Sequence, residues 1–336
     1  MRVVAASDKF RGTATAPEVT AAIGRGAATA GWACDEVPVA DGGEGTIDAL
    51  GGANRSATVR GPLGDPVEAP WRLDRRTATI EMAAASGLVL AGGADGNDPI
   101  GADTHGTGEL IHLAVESGAR RVIVGLGGSA TTDGGLGALR AMHPLPRYRA
   151  IDLRVACDVR TRFVDAAEVF GPQKGASAAQ VRLLRNRLER LADVYEQDHG
   201  VDVRDLPRSG AAGGLAGGLA AIGATLEDGF DLIADEVELD ETIAGADLVV
   251  TGEGFLDDES FDGKVVGGVV ELADSLDVPV LAVVGQVVDG AGEGRTAGGQ
   301  PFRVVSLVER FGERRAMQET AECIEQVVAE ELASRP

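Results

Sequence analysis

Both ends of the chain alternate short apolar runs with helical periodicity. Residues 2–6 (RVVAA) suit a buried parallel strand. Thr15 and Glu18 then stand at capping-box spacing with Pro17 in the first turn, and Val19, Ile23 and Ala27 recur on one face of the helix they open. Residues 36–39 resume an extended run, so the N-terminus reads as a βαβ unit. The last third returns to this pattern, with strands expected at 247–251, 279–284 and 303–308 and helices at 264–275 and 316–333. The middle differs. Extended runs at 58–60, 67–73 and 77–81, broken by Gly61-Pro62, Gly64 and Asp74, predict antiparallel or mixed strands. A helix over 106–117, an apolar strand at 121–125, and a glycine-rich loop at 127–135 opening a short helix follow. Ser177 and Gln180 cap a long helix over 178–198, with Val181, Leu184, Leu188, Leu191 and Tyr195 as its buried stripe. The Gly/Ala run at 210–224 is too apolar for a linker and reads as a packed helix with a glycine-rich entry. The fold class is therefore α/β: a discontinuous doubly wound parallel-sheet domain (1–56 and 230–336) interrupted by an inserted α/β domain with a mixed sheet (57–229).

Composition narrows the function. Glycine accounts for 48 of 336 residues, about twice the usual ~7%, so tight turns and close backbone approaches abound. The net charge of −22 argues against nucleic acid or an anionic membrane as partner. No apolar stretch is long enough to span a bilayer, and Asp8, Lys9 and Arg11 interrupt any signal-peptide core. Three widely spaced cysteines form neither a CxxC nor a disulfide framework, so a cytoplasmic location is expected. Of 31 basic residues only Lys9, Lys174 and Lys264 are lysine. GC-rich codon usage accounts for that bias, with adaptation to high salt as the alternative.

Five glycine-bearing polar segments follow predicted strands or interrupt apolar runs, where open α/β sheets bind ligands. They are Asp8–Gly12, Asp41–Thr46, Gly127–Gly135, Phe170–Ala176 and Thr251–Lys264. Gly127–Gly135 joins a strand to a helix, so its amides and the hydroxyls of Ser129, Thr131 and Thr132 suit an anion; a tight capped turn is the competing reading. Asp41 and Glu44 flank a Gly-Gly pair and suit magnesium or substrate hydroxyls, or merely a solvated turn. A carboxylate in Gly252–Asp257 has the placement of a general base, and Lys264 sits at a helix start that the helix dipole disfavours for a merely structural lysine. There is no Walker A motif, GxGxxG, GxSxG or metal-type histidine spacing, which counts against P-loop, nicotinamide and serine-hydrolase chemistry.

The segments DKFRGT (8–13), PVADGGEGT (38–46), GLGGSATTDGG (125–135), VACDV (155–159), FGPQKGA (170–176), GAAGGLAGGL (210–219) and TGEG…GKV (251–265), in this order, resemble the type-1 glycerate kinase family. The resemblance spans nearly the whole chain. It implies a flavodoxin-like domain plus a second α/β domain with a cleft between them, and ATP- and Mg2+-dependent phosphorylation of D-glycerate, mostly to 2-phosphoglycerate. All three lysines fall inside matched segments. Arg11 stands where the family usually has Lys, Glu259 where it has Gln and Val266 where it has Pro, and the stretch between Gly137 and Val155 is short by about a loop and a strand.

The combined expectation is a glycerate 2-kinase. Gly127, Gly128, Ser129, Thr131, Lys174, Gly213 and Gly214 would bind ATP. Asp41 and Glu44 would hold Mg2+, with Asp133 as a further group for the metal or for glycerate hydroxyls. Asp8, Lys9, Arg11, Asp133 and Asp158 would contact substrate, and Lys9 or Arg11 would pair with its carboxylate. Asp257 would act as general base, with Lys264 and Asp41 completing the catalytic set. The alternatives are a kinase for another small hydroxy acid and an inactive metabolite-binding member of the family. The expected partners are small molecules, for a monomer or an oligomer.

Overall fold

The computed structural model describes residues 1–261, 263–288, 290–291, 296–297 and 300–335. Its strands in chain order are β1 (Arg2–Ser7), β2 (Ala33–Pro38), β3 (Arg55–Arg60), β4 (Pro66–Asp74), β5 (Thr77–Glu81), β6 (Arg121–Gly125), β7 (Asp152–Cys157), β8 (Thr225–Asp228) and β9 (Leu248–Thr251). They continue with β10 (Phe255–Leu256), β11 (Val280–Val284), β12 (Gln286–Val287), β13 (Thr296–Ala297), β14 (Gln300–Pro301) and β15 (Arg303–Ser306). The chain divides into two units. The first comprises Met1–Asp41, Asp48–Gly51 and Phe230–Pro336, and the second Gly42–Ile47 and Gly52–Gly229.

The first unit is built on a five-stranded sheet in the order β15-β11-β9-β1-β2, parallel throughout. Numbered among themselves, these strands run 2-1-3-4-5, the flavodoxin-like order whose direction of winding switches between the first and third, here β1 and β9. Alternate side chains sort to opposite faces. Val3, Ala5, Val250 and Leu281 pack against Val19, Ile23, Ile324 and Val327 of the helices Ala16–Thr29 and Thr320–Ala333. Val4, Ala6, Val249 and Ala282 pack against Val265, Val266 and Val269 of the helix Val265–Ser275. The capping box at Thr15 is formed: its hydroxyl accepts from the Glu18 N–H, and Glu18 accepts from the Thr15 N–H.

The second unit has a six-stranded sheet, β3-β4-β5-β6-β7-β8. The β3–β4 and β4–β5 pairs are antiparallel and the pairs from β5 to β8 parallel, so the sheet is mixed. Ile80, Val122, Val124 and Val155 lie in one core with Leu110 and Ile111 of the helix His105–Glu116 and with Leu184, Leu188 and Tyr195 of the helix Ala178–His199. Val181 and Leu191, expected on the latter's buried stripe, are only partly buried, while Ala192 is fully buried there. The expected helix at 316–333 is two, Glu313–Gln318 and Thr320–Ala333, broken where Glu319 leaves helical geometry (φ −128°).

Candidate active site

In the second unit the expected phosphate loop leaves the end of β6. Glycine is required here by close approach: a Cβ on Gly127 would lie 2.9 Å from the Gly43 Cα. Gly128 takes φ +63°, which other residues adopt only at a cost. The loop is braced from several sides. Leu88 N donates to Gly128 O (2.8 Å) and Ala130 N to Ser86 O (3.0 Å). Asn97 Nδ2 donates to both Ala130 O (3.0 Å) and Lys174 O (2.9 Å), tying the loop to the FGPQKGA segment. Lys174 is 2% exposed, and its Nζ donates to Thr131 O at 2.6 Å. Burial lowers its pKa to about 7, although Asp133 pulls the other way. The hydroxyls Thr131 Oγ1 and Thr132 Oγ1 are buried without a hydrogen-bond partner among the described residues. A cavity of about 300 Å³ has Gly127, Gly128, Ser129, Asp158, Phe170 and Lys174 in its wall.

Three residues expected at ligands serve the loop itself. The Asp133 carboxylate accepts from Thr104 N, Thr104 Oγ1, Gly135 N and Gly137 N at 2.8–3.1 Å. Its oxygens are thus committed to pinning the loop to the start of the helix His105–Glu116. Gly213 and Gly214, at φ +66° and +90°, lie against backbone. A Cβ on Gly213 would meet Thr131 O at 2.0 Å, and one on Gly214 the Gly134 Cα at 2.9 Å. Neither is in the cavity wall. Glu44 is exposed in this unit.

In the first unit, side chains gather where β1 and β9 end. Asp8 is buried (8% exposed). Its Oδ1 accepts from Lys9 N at 2.7 Å and lies 3.4 Å from Lys9 Nζ. Burial raises the Asp8 pKa to about 6, against the Lys9 charge, and the charge of Asp41 raises it further. Arg11 is exposed. Asp257 and Lys264 are also brought together, with Nζ 3.9 Å from Asp257 Oδ1 and 3.7 Å from Glu259 Oε2. Asp257 Oδ1 accepts from Ser260 N and Ser260 Oγ at 3.0 and 3.1 Å and closes the turn at Asp258–Phe261.

Glu253 is the residue that sequence reasoning passed over. It is 9% exposed, and its Oε1 has no hydrogen-bond partner among the described residues. Nothing in the sequence separates it from the acids that follow at 257–259, because only burial singles it out. The described residues contain no group of three or more His, Cys, Asp or Glu side chains able to hold a metal, and no helix long and apolar enough to cross a membrane.

A flavodoxin-like unit with carboxylates and a lysine at its strand ends, and a second unit with a glycine loop over a buried lysine, define an α/β phosphotransferase, that is, a kinase. The chain belongs to the glycerate kinase family, whose sequence profile matches residues 3–144 and 142–334. It is 40% identical over 332 residues to the glycerate 2-kinase of Escherichia coli K12, covering 87% of each chain. It is 39% identical over 327 residues to the glycerate kinase of Bacillus subtilis 168, covering 85% of each. A crystal structure assigned as glycerate kinase 2 of Salmonella typhimurium LT2 superposes with a TM-score of 0.85 at 33% identity, covering 99% of this chain and 98% of that one.

Proposed function

We propose that the protein is a cytoplasmic enzyme that transfers the γ-phosphoryl group of ATP to the 2-hydroxyl of D-glycerate. The observation that carries this reading is the buried Lys174 ammonium in the wall of a cavity shared with the Gly127–Ser129 loop. A buried lysine bonded to one carbonyl is a poor structural element but a good partner for phosphate oxygens. The 2-position is supported by the relative named glycerate 2-kinase.

The loop amides, the unpartnered hydroxyls of Thr131 and Thr132 and the Lys174 ammonium bind the phosphates. Asp133, Asn97 and Gly213 hold these donors in place. In the first unit, the exposed guanidinium of Arg11 offers a planar fork to the glycerate carboxylate, and Lys264 neutralises charge on the transferring group.

Asp41, whose charge acts on Asp8 next to Lys9, is the carboxylate that would hold Mg2+. Mg2+ usually keeps several of its waters and takes only one or two protein carboxylates. When bound, the ion offsets phosphate charge.

Phosphorus NMR of the product made from ATP, Mg2+ and D-glycerate should show 2-phosphoglycerate. A 3-phosphoglycerate resonance would refute the position, and absence of any phosphoglycerate the activity.

Glu259 competes for Lys264 at 3.7 Å with its side chain 85% exposed. Exposed pairs are worth ~0–1 kcal/mol, so Glu259→Gln is expected to raise kcat by up to about five-fold. An unchanged or lowered kcat in a coupled ADP assay would show that Lys264 is not held back by this pair.

A further inference from the structure

We propose that Glu253, and not Asp257, accepts the proton from the attacking hydroxyl, an assignment that rests on the glycerate kinase reading above.

Glu253 follows β9 at the point where the winding of the parallel sheet reverses between β1 and β9, the position at which open α/β sheets bind their ligands. Its backbone is clamped by both neighbouring strand ends. Gly252 O accepts from Asp8 N (3.1 Å) and Ser7 Oγ (2.9 Å) on the β1 side. Glu253 O accepts from Gly285 N (3.0 Å) and Gly254 O from Gln286 N (3.1 Å) on the β11 side. The flanking glycines permit this closeness, since a Cβ on Gly252 would lie 2.1 Å from Val283 O.

The side chain in this rigid setting is buried, yet Oε1 accepts no hydrogen bond from the described residues. An orphaned buried carboxylate oxygen is costly and calls for a functional reason. Asp257 differs: its side chain is 30% exposed, and its Oδ1 accepts two hydrogen bonds from Ser260. Among the described residues, the polar and charged groups facing the Glu253 carboxylate are Ser260, Lys264, Asp8 and Asp257. Burial, seconded by the charges of Asp8 and Asp257, pushes its pKa up to about 7, against Ser260 and Lys264. That is where a base working at neutral pH is most effective.

In the step, the acceptor O–H bond breaks and its proton passes to Glu253 Oε1. The oxygen's electron pair forms the new bond to the γ-phosphorus of ATP, and the bond from that phosphorus to the bridging oxygen breaks. ADP leaves with that electron pair, and Glu253 later returns the proton to water.

The test compares wild type, Glu253→Gln, Glu253→Asp and Asp257→Asn as full-length proteins, measuring ADP release with glycerate against pH. Glu253→Gln should lose about 10²–10⁴-fold in kcat, with KM for both substrates within about three-fold, as expected for a group that acts in the step itself. The acid limb of the wild-type kcat profile, centred near pH 7, should vanish in this variant and persist in Asp257→Asn. Should Glu253→Gln fail to fold by thermal melting, Glu253→Asp decides, through a displaced acid limb or an unmoved one. An unmoved limb, or a Glu253→Gln enzyme within about five-fold of wild type, overturns the assignment while leaving the kinase reading intact. A folded wild type that releases no ADP with glycerate overturns both.

Discussion

Lys174→Met is expected to lower kcat/KM for ATP by about 10²–10³-fold while the protein stays folded. Lys174 is only 2% exposed, and among the described residues its ammonium donates to one carbonyl. Phosphate oxygens would supply the compensation that the protein withholds. Methionine fills the same volume without the charge, and Asp133 keeps its four donors.

Stability should move the other way with a defined pH dependence. The lysine titrates at its ordinary value of 10.5 when unfolded and near 7 when folded. Below pH 7 both states carry the proton, and the fold bears the full cost of burying it. Between pH 7 and 10.5 the unfolded state binds more protons, so wild-type stability rises with pH across that window. The Tm of Lys174→Met minus that of wild type should therefore be greatest near pH 6 and shrink toward pH 10. A difference independent of pH, or ATP kinetics like those of wild type, would refute the role of this lysine.

Gly213→Ala is expected to destabilise the second unit strongly. Its Cβ would stand 2.0 Å from Thr131 O and 2.7 Å from the Thr132 Cα, both backbone atoms that cannot swing aside, at φ +66°. The left-handed conformation alone costs ~1–2 kcal/mol, and overpacking adds ~1–3 kcal/mol or more. Pushing this left-handed turn, which leads into the helix ending at Ala221, away from the loop would also displace the carbonyl that Lys174 bonds. Gly31→Ala is the control: it has φ +78° with nothing within 4 Å of the added atom, so only the conformational cost of about 1–2 kcal/mol applies. Urea unfolding of the two variants checks this. Equal losses would mean that the contact with Thr131 carries no weight.

Much of the architecture was legible because its signals are local. The capping boxes at Thr15 and Ser177 formed with both reciprocal bonds, and the Gly-Pro and Asp breaks between 58 and 82 marked antiparallel strands. β8 gave no warning, since TLED offers a single apolar residue and is a strand only through pairing with β7. The glycine-rich entry at 210 was visible as an exception to helix, but its partner was not. Gly213 reads the same whether a ligand or a protein carbonyl comes close. Asp133 and Glu253 show the converse. Both are acids beside glycine, and only the fold distinguishes one with every oxygen bonded from one with an oxygen left over.

The scarcity of lysine has a practical corollary for chemical footprinting. An acylating reagent meets only three side-chain amines besides the N-terminus. One is 2% exposed, and the other two have side chains 13% and 36% exposed, one after β1 and one at the start of the helix Val265–Ser275. Mass spectrometry of the modified chain would thus report on these loops alone, with no background from the arginine-clad remainder, and each protected amine would name the stretch that a bound nucleotide or acid had covered.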